Sequence, residues 1–469
     1  MATHALNRHL VLVGFMGAGK TTIGRHVAEQ LGRRFVDIDD VIERYYGDLP
    51  KLFRRGGEER FRRLEWVAAT RVLGLQTPRV VALGGGAVET SKVREGLAHE
   101  FVVHLDVDVE TAWERVRGSD RPLARKATEF RRRYQLRAPL YNEVADATTS
   151  DGDGVVLAAA GIEMGVGTVE LLGALIPESG PVALITDPHV AGIHGAAAQL
   201  ALGDRLASTH EIPAGERAKS VAVAERLWRE LRVGREGTIV ALGGGCVTDI
   251  AGFVAATYLR GVPWVAVPTT LVGQVDAAIG GKTAIDLPEG KNLVGAFHWP
   301  VRTVIDPALL ATLPERERAE GMAEVVKTGL LAGESVWDLP DAALVRRCAA
   351  FKAAVCLRDP YDRDERAMLN LGHTFAHALE AGAGYGSVTH GTAVALGLLA
   401  ALRLSGRPTD VVEQILEPRP VRADRERAWA ALQRDKKRGL VLLGDDGPRW
   451  NVQVPDDEVR AALDELIAD

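Results

Sequence analysis

The segment Gly14–Thr21 reads GFMGAGKT and constrains the fold of the first part of the chain more than any other feature. It matches the pattern GxxxxGK[ST] and lies between an apolar run, His9–Val13, and a segment with helical spacing, Thr21–Leu31. In such a strand–loop–helix unit the glycines let backbone N–H groups turn toward phosphates, the lysine adds a positive charge, and the threonine hydroxyl binds Mg²⁺. A tight strand-to-helix turn is the alternative explanation, and the motif does not identify the phosphate acceptor. The expected nucleotide-phosphate site comprises Gly14, Gly17, Ala18, Gly19, Lys20, Thr21 and Thr22.

Length and composition narrow the class of protein. At 469 residues, 46% hydrophobic and 26% charged, the chain is long enough for two or three domains. Its net charge of −6 provides no basic field for nucleic acid, and no apolar run approaches the roughly 18 residues of a membrane span. Cys246, Cys348 and Cys356 lack CxxC spacing, so neither a disulfide framework nor a cysteine metal cage is expected. We expect a soluble protein of the reducing cytoplasm that binds neither nucleic acid nor membrane.

Short apolar runs alternate with helical spacing through most of the chain, which predicts an α/β fold with parallel sheets flanked by helices. A polar stretch at 145–154, ADATTSDGDG, separates two regions with this alternating pattern and predicts a domain boundary. After about residue 309 helical periodicity dominates, over Glu315–Leu330, Asp341–Leu357 and Glu365–Glu380. We therefore predict three parts, 1–150, 151–308 and 309–469. The predicted buried strands include Val80–Leu83, Phe101–Leu105, Val182–Thr186, Thr238–Leu242 and Val262–Val267.

Polar groups beyond the phosphate motif indicate an anionic acceptor in the first part. Asp37 and Asp39 follow one another at the end of a predicted strand, where one carboxylate supports Mg²⁺ and the other takes a proton from an acceptor hydroxyl. Alternatively, such a pair is solvated or caps a helix. Arg62, Arg121 and Arg137 supply forked guanidinium groups, which suit carboxylate and phosphate.

Taken in order, GFMGAGKTTIGR, FVDIDD, GGEERFRRLE, LGGGAV, RPL and RAPLY resemble shikimate kinase over residues 1 to about 150. The resemblance implies a P-loop kinase domain that phosphorylates the 3-hydroxyl of shikimate with Mg²⁺ and ATP, with Lys20 in catalysis. It implies that Asp39 orients and deprotonates this hydroxyl, that Thr21 and Asp37 serve Mg²⁺, and that Arg121 in a lid touches the ATP phosphates. The family adds a helix after its last strand, whereas here we expect the chain to run directly into the next domain. The implied shikimate site comprises Asp39, Arg62, Gly84, Gly85, Gly86 and Arg137.

The rest of the chain carries the residue types of a dinucleotide and metal site. Gly243–Gly245 follows an apolar strand and suits either close approach to a pyrophosphate or a tight helix–strand contact. Glu324 and the histidines His373, His377 and His390 suit Zn²⁺ with an open position. Spacing alone favours His373 and His377 as ligands, since they share one helical face, with a polar helix interface as the alternative. The cations that favour an anionic, phosphorylated substrate are Lys282, Lys291, Lys352, Arg260 and Arg366.

A set of motifs across about 155–469 resembles 3-dehydroquinate synthase: PAGERAK, GGGCVTDIAGF, YLRGV, VPTTLVGQVDAAIGGKTAID, GKNLVGAFHWP, LPERERAEGMAEVVK, LNLGHTFAHALE, HGTAVALG and RDKK. The resemblance implies a Rossmann-like NAD-binding part and a helical part in which Glu324, His373 and His390 hold Zn²⁺ or Co²⁺ and His377 faces the substrate. The implied NAD site comprises Asp187, Glu216, Lys219, Gly244, Gly245, Asp249, Thr269, Thr270, Lys282, Lys291 and Thr312. The heptulosonate phosphate would contact Arg260, Asp276, Lys291, Asn292, Asn370 and Lys436, with Lys282, Lys327, Lys352, Arg366 and His377 catalytic.

The two resemblances together predict a bifunctional enzyme of aromatic amino acid biosynthesis. The synthase half would convert 3-deoxy-D-arabino-heptulosonate 7-phosphate to 3-dehydroquinate and phosphate, through a hydride that NAD removes and returns, and it would form a homodimer. Departures from the family pattern at Ala277, Ala284, Asp286 and Thr392 remove no ligand. The alternatives are a polyol dehydrogenase or another sugar-phosphate cyclase in the second half, or a scaffold without activity.

Overall fold

The structure is a computed structural model that describes residues 4–118, 126–177, 179–384, 386–435 and 439–468, apart from the side chains of residues 53 and 55. The chain divides into two compact units, Met1–Gly161 and Ile162–Asp469. The helical region predicted from residue 309 therefore belongs to the same unit as the α/β segment before it.

The first unit is built on a parallel sheet. Its strands are β1 (Leu10–Val13), β2 (Phe35–Asp37), β3 (Val80–Ala82), β4 (Phe101–Leu105) and β5 (Ala147–Thr149). Its helices are α1 (Lys20–Gln30), α2 (Ile38–Tyr46), α3 (Leu49–Leu73), α4 (Ser91–Leu97), α5 (Val109–Val116), α6 (Ala127–Val144) and α7 (Gly152–Ala159). The strand order is β2-β3-β1-β4-β5 and every pair is parallel. β1, β3 and β4 are buried along their whole length, which explains why each is a continuous apolar run.

Helix α7 begins inside the polar stretch 145–154, where we predicted a domain boundary. Asp151 caps this helix, since its Oδ1 accepts a hydrogen bond from Gly154 N at 2.8 Å. Val155, Val156 and Leu157 follow at once and are buried, and α7 packs on α1, β4 and β5. The expectation that no helix follows the last strand was therefore wrong. The polar letters DGDG form the cap and first turn of a helix that completes the first unit beyond residue 150.

The second unit begins with a larger parallel sheet. Its strands are β6 (Ile162–Met164), β7 (Val182–Thr186), β8 (Leu206–Glu211), β9 (Thr238–Gly243), β10 (Trp264–Pro268) and β13 (Arg302–Ile305). Two antiparallel hairpins are separate from it, β11 (Lys282–Leu287) with β12 (Gly290–Phe297), and β14 (Leu440–Gly444) with β15 (Gly447–Val452). The parallel sheet has the order β6-β13-β10-β9-β7-β8.

The helices of the second unit cover this sheet and then form a helical part. They are α8 (Leu172–Leu175), α9 (Pro188–Val190), α10 (Ala196–Leu202), α11 (Val221–Glu230), α12 (Gly245–Thr257), α13 (Glu315–Ala332), α14 (Asp341–Arg358), α15 (His373–Ala383), α16 (His390–Leu404), α17 (Asp410–Leu416), α18 (Arg425–Asp435) and α19 (Asp456–Asp464). Along β7, Ile185 packs in one core cluster and its neighbour Leu184 in another. Because successive strand residues point to opposite faces, the sheet is covered on both sides, and the predicted α/β fold class is confirmed.

The predicted helix Glu365–Glu380 is instead a 3₁₀ turn over Glu365–Asn370 followed by α15. Gly372 interrupts it with a φ of 79°. A Cβ at Gly372 would lie 2.8 Å from Leu398 N of α16, so this close approach of two backbones needs glycine. The prediction was wrong because the break depends on a residue distant in the sequence. As a consequence, His373 is the first residue of α15.

Candidate active sites

The phosphate motif forms the turn between β1 and α1. Gly19 precedes α1 with a φ of 88°, and a Cβ at Gly14 would lie 2.5 Å from the Leu105 carbonyl oxygen. Lys20 Nζ donates hydrogen bonds to the carbonyl oxygens of Gly14 at 2.7 Å and Phe15 at 3.1 Å. The amine therefore lies over the loop, next to the free N–H groups of a helix start, which together form an anion-binding arrangement.

The two predicted carboxylates lie beside this loop. Thr21 Oγ1 donates a hydrogen bond to Asp37 Oδ2 at 2.7 Å, while Asp37 Oδ1 accepts one from Asp39 N at 3.0 Å and caps α2. Asp37 therefore caps a helix, which was the alternative role suggested by the sequence. It also faces the Thr21 hydroxyl, which is predicted to bind Mg²⁺. Asp39 lies next to the glycine loop, since a Cβ at Gly84 would be 3.0 Å from its Oδ1. Arg121 lies outside the described residues.

The loop Gly84–Gly86 follows β3 and is closely approached by side chains. A Cβ at Gly86 would overlap Arg62 Nη2, and one at Gly84 would overlap Glu65 Oε1. The buried Tyr141 hydroxyl donates a hydrogen bond to the Gly85 carbonyl oxygen. The loop is thus held by its neighbours, with Asp39 and Arg62 against it. This is the group of residues predicted to hold the acceptor.

Three glutamates that we did not predict contact the arginines. Arg62 donates hydrogen bonds to Glu65 Oε2 at 2.6 Å and to Glu58 Oε1 at 3.0 Å. Arg137, only 1% exposed, donates from Nε and Nη2 to the two carboxylate oxygens of Glu89 at 3.1 and 3.0 Å. Burial raises the pKa of Glu65 to about 7, although Arg62 opposes the shift. The spacing of Glu58 and Glu65, four and three residues from Arg62, was a weak signal in the sequence.

A cavity of about 1500 Å³ lies in the second unit, at the carboxyl ends of β7, β9 and β10 and against the helical part. Small-molecule pockets usually measure about 300–1,000 Å³, so there is room for two ligands side by side. Every residue predicted to bind NAD lines this cavity: Asp187, Glu216, Lys219, Gly244, Gly245, Asp249, Thr269, Thr270, Lys282, Lys291 and Thr312.

One end of the cavity combines a helix N-terminus with a buried lysine. Gly245 begins α12, so the first N–H groups of that helix have no partner within it. Lys219 Nζ lies 2.8 Å from Asp249 Oδ2 and 3.4 Å from Glu216 Oε1, and it donates a hydrogen bond to Asn292 Oδ1. Burial opposes the charge of Lys219, but these carboxylates raise its pKa. The two carboxylates therefore keep the lysine charged in a buried position.

His373 and His390 line the same cavity, and with the buried Glu324 they form a group that could hold a metal ion. Glu324 Oε1 lies 3.3 Å from His390 Nε2 and 3.4 Å from His373 Nε2. Ligands at about 2.05 Å from a tetrahedral Zn²⁺ are about 3.4 Å apart, so these spacings match a zinc site. Glu324 is 1% exposed, its Oε1 faces the two histidines, and its Oε2 lies 2.5 Å from Lys327 Nζ. Burial and the nearby Lys327 lower the pKa of His373, which favours the neutral imidazole that metals bind.

His377 lies outside this group, contrary to the pairing that spacing favoured. It follows His373 on α15, but its side chain is 51% exposed and its Nδ1 lies 3.2 Å from Asp435 Oδ2. Three helices supply the metal-binding group, and the start of α16 brings in His390. Glu380, which we did not predict, lies 3.6 Å from His390 Nδ1 and 3.2 Å from Lys291 Nζ. Such an outer carboxylate orients a ligand imidazole.

Two of the predicted substrate cations, Lys327 and Lys352, pair with Asp276. Lys352 Nζ lies 2.9 Å and Lys327 Nζ 3.7 Å from Asp276 Oδ1. Lys282 pairs with Asp362 at 2.6 Å, and Arg366 is buried. All four cations, with Asn292, Asn370 and His377, line the cavity. Arg260, in contrast to the prediction, is exposed and does not line the cavity. Lys436 lies outside the described residues.

Three departures from the expected family pattern have local roles. Ala277 lies against Gly245, since a Cβ at Gly245 would be 3.1 Å from the Ala277 methyl group. A small side chain therefore suits position 277. Asp286 Oδ1 accepts a hydrogen bond from Asn292 N at 2.8 Å. Thr392 Oγ1 accepts one from the Thr389 hydroxyl at 2.8 Å, in the first turn of α16. None of these contacts displaces a residue of the site.

The fold and the sites define a class of protein, a P-loop kinase joined to an enzyme with the sugar-phosphate cyclase fold. The shikimate kinase family matches residues 16–159, and the N-terminal and C-terminal parts of 3-dehydroquinate synthase match residues 209–320 and 321–438. The chain is 35% identical over 418 residues to the bifunctional shikimate kinase/3-dehydroquinate synthase of Thermotoga maritima. This alignment covers 83% of each of the two chains. It belongs to this bifunctional family and has both activities of the shikimate pathway.

Other relatives match the second unit. The 3-dehydroquinate synthase of Bordetella pertussis is 40% identical over 342 residues, which is 65% of this chain and 95% of the relative. A solved 2-epi-5-epi-valiolone synthase from Streptomyces hygroscopicus, with NAD⁺ and Zn²⁺ bound, aligns with a TM-score of 0.58 and 26% identity over 65% of this chain and 96% of that one. The predicted bifunctional enzyme is thereby confirmed. Among the described residues, no helix has the length and apolar character needed to cross a membrane.

Proposed function

We propose that the first unit binds Mg²⁺ and ATP at Gly14–Thr21 and transfers the terminal phosphate to the 3-hydroxyl of shikimate. The contact of 2.7 Å between Thr21 and Asp37 supports a shared role in holding Mg²⁺. Asp39 takes the proton of the hydroxyl, since its carboxylate lies against the glycine loop. Arg62 and Arg137 bind the shikimate carboxylate through their guanidinium forks.

We propose that the second unit binds NAD at the start of α12 and one Zn²⁺ or Co²⁺ at Glu324, His373 and His390. When bound, NAD removes and returns a hydride, and the metal ion polarises the oxygen of the carbon that is oxidised. The buried carboxylate of Glu324 supports the metal, since its Oε1 faces both histidines while its Oε2 pairs with Lys327. Lys219 keeps its charge beside the helix start and orients the dinucleotide.

Cationic side chains of the second unit bind the substrate. Lys327 and Lys352 hold Asp276 from two sides, which fixes the position of all three groups at the cavity wall. Lys282 and Arg366 add further positive charge, so phosphate and carboxylate groups of a heptulosonate phosphate find partners on one surface. Because such cations stabilise the leaving phosphate, they contribute to its elimination. His377, half exposed at the cavity, is available for proton transfer on the substrate side.

The observation that carries the proposal for the second unit is the spacing of 3.3–3.4 Å from Glu324 Oε1 to His390 and His373, two histidines that line the cavity. It is tested by phosphate release from 3-deoxy-D-arabino-heptulosonate 7-phosphate with catalytic NAD and Zn²⁺, while absorbance of NADH is followed in the same cuvette. We expect phosphate without NADH accumulation, and loss of release in His373→Ala. Shikimate phosphorylation by the same variant is the internal control. Accumulation of NADH without phosphate would contradict the proposal.

We further propose that the protein is a homodimer through its synthase half and works in the reducing cytoplasm. The three cysteines are free, and two of them, Cys348 and Cys356, are buried, which supports a reducing compartment. The domain parts 1–150, 151–308 and 309–469 remain our proposal for the functional organisation, with α7 added to the first. Two intervening reactions separate the two activities, so no direct transfer of product between the sites is expected. Sedimentation equilibrium of the full chain tests the dimer.

A further inference from the structure

The ion pairs of Glu89 are both with arginines proposed to bind the shikimate carboxylate. Its Oε2 lies 3.0 Å from Arg137 Nη2 and 3.3 Å from Arg62 Nη2, and its Oε1 accepts a hydrogen bond from Arg137 Nε at 3.1 Å. Two parallel N–H···O bonds to one carboxylate are the arrangement by which arginine binds a carboxylic acid ligand. Glu89 thus occupies the face of Arg137 that a substrate carboxylate would use.

The arginines of this group already have carboxylate partners. Arg62, Arg133 and Arg137 pair with Glu58, Glu65, Glu89 and Glu129, so a substrate carboxylate would join a group that has four carboxyl groups for three guanidinium groups. Withdrawal of one of the three glutamates that contact Arg62 or Arg137 would free guanidinium donors to compensate the entering carboxylate in this partly buried site.

The three glutamates differ in their freedom to leave. Glu65 is fully buried against Arg62, and Glu58 is shared by Arg62, Arg133 and Arg137. Glu58 and Glu89 are each 37% exposed, but Glu89, at the end of a short 3₁₀ turn after the glycine loop, pairs with two arginines and not with three. A rotation of this side chain therefore brings its carboxylate into water while both arginines stay in place.

We propose that Glu89 is an internal competitor, whose carboxylate occupies the Arg62–Arg137 fork in the empty kinase site and is displaced by the carboxylate of shikimate. Glu89 thereby lowers the affinity for shikimate and prevents small carboxylates from occupying the fork. This inference rests on the proposed binding of shikimate by these arginines. It makes Glu89 a residue that determines affinity and specificity without taking part in phosphoryl transfer.

The test compares Glu89→Gln with Glu143→Gln in the full chain. Glu143 pairs with Arg94 at 3.0 Å on the surface of the same unit and serves as the matched loss of one carboxylate. Partly exposed ion pairs contribute about 0.2–1 kcal/mol, so KM for shikimate should fall about 1.4- to fivefold in Glu89→Gln, with kcat unchanged. Inhibition by acetate, the free carboxylate used as a probe, should become stronger in the same variant, and Glu143→Gln should match the wild type in both measurements.

The direction of the change in KM decides the outcome. An unchanged or raised KM in Glu89→Gln would mean that Glu89 only positions Arg137, and the inference would be wrong. Shikimate binding by calorimetry separates this result from a failure of the proposed function. If the wild-type chain does not bind shikimate, both the proposed function and the inference about Glu89 are wrong. If it binds shikimate normally and Glu89→Gln does not bind it more tightly, only the inference is wrong.

Discussion

Metal binding should raise the melting temperature of the second unit by an amount that depends on Glu324. This carboxylate is 1% exposed and lies within 3.4 Å of both histidines, so it supplies the one negatively charged ligand. A metal at one hundred times its Kd stabilises the folded state by about 2.7 kcal/mol. For a unit of about 300 residues, an unfolding entropy of about 2.1 cal/mol/K per residue converts this free energy into a shift of about 4 °C. Calorimetry of the chelated full chain with and without Zn²⁺ measures the shift.

The variant Glu324→Gln should lose this shift while still folding. Lys327, which contacts Glu324 at 2.5 Å, keeps Asp276 at 3.7 Å as a second partner, so no buried cation is left alone. Glu334→Gln is the matched control, because Glu334 pairs with Arg347 at 2.7 Å on the surface of the same unit. A shift of about 4 °C that persists in Glu324→Gln would refute the assignment of this residue as a ligand.

Three further predictions concern single residues. Lys20→Ala should abolish shikimate phosphorylation and leave phosphate release from the heptulosonate substrate intact, because Lys20 lies over the phosphate loop; loss of both activities would contradict this separation. Gly86→Ala should raise KM for shikimate about tenfold or more, since its Cβ would overlap the Arg62 guanidinium and charged hydrogen bonds contribute about 1.5–3 kcal/mol. His377→Ala should lower kcat of the synthase about 10²- to 10⁴-fold yet keep the calorimetric shift with Zn²⁺, and loss of that shift would place His377 among the ligands.

Local patterns in the sequence were sufficient for the phosphate loop and for several strands. The loop Gly14–Thr21 is contiguous, so its chemistry can be read without knowing the fold. Phe101–Leu105 and Val182–Thr186 have the predicted bounds, because strands buried on both faces are continuous apolar runs. Prediction of secondary structure failed where tertiary contacts determine the local conformation. The helix after β5 and the break at Gly372 depend on packing against segments distant in the chain.

The sequence by itself determined which residue types are available to each site, and its resemblance to two families indicated which of them act together. Only the tertiary structure decided their partners. Spacing along α15 favours His377, yet His390 from another helix meets Glu324 and His373, because ligands are selected by distance in space. Glu89 and Glu380 carried no signal, since most glutamates are solvated. Each acquires a role because folding places its carboxylate beside cations that come from other elements.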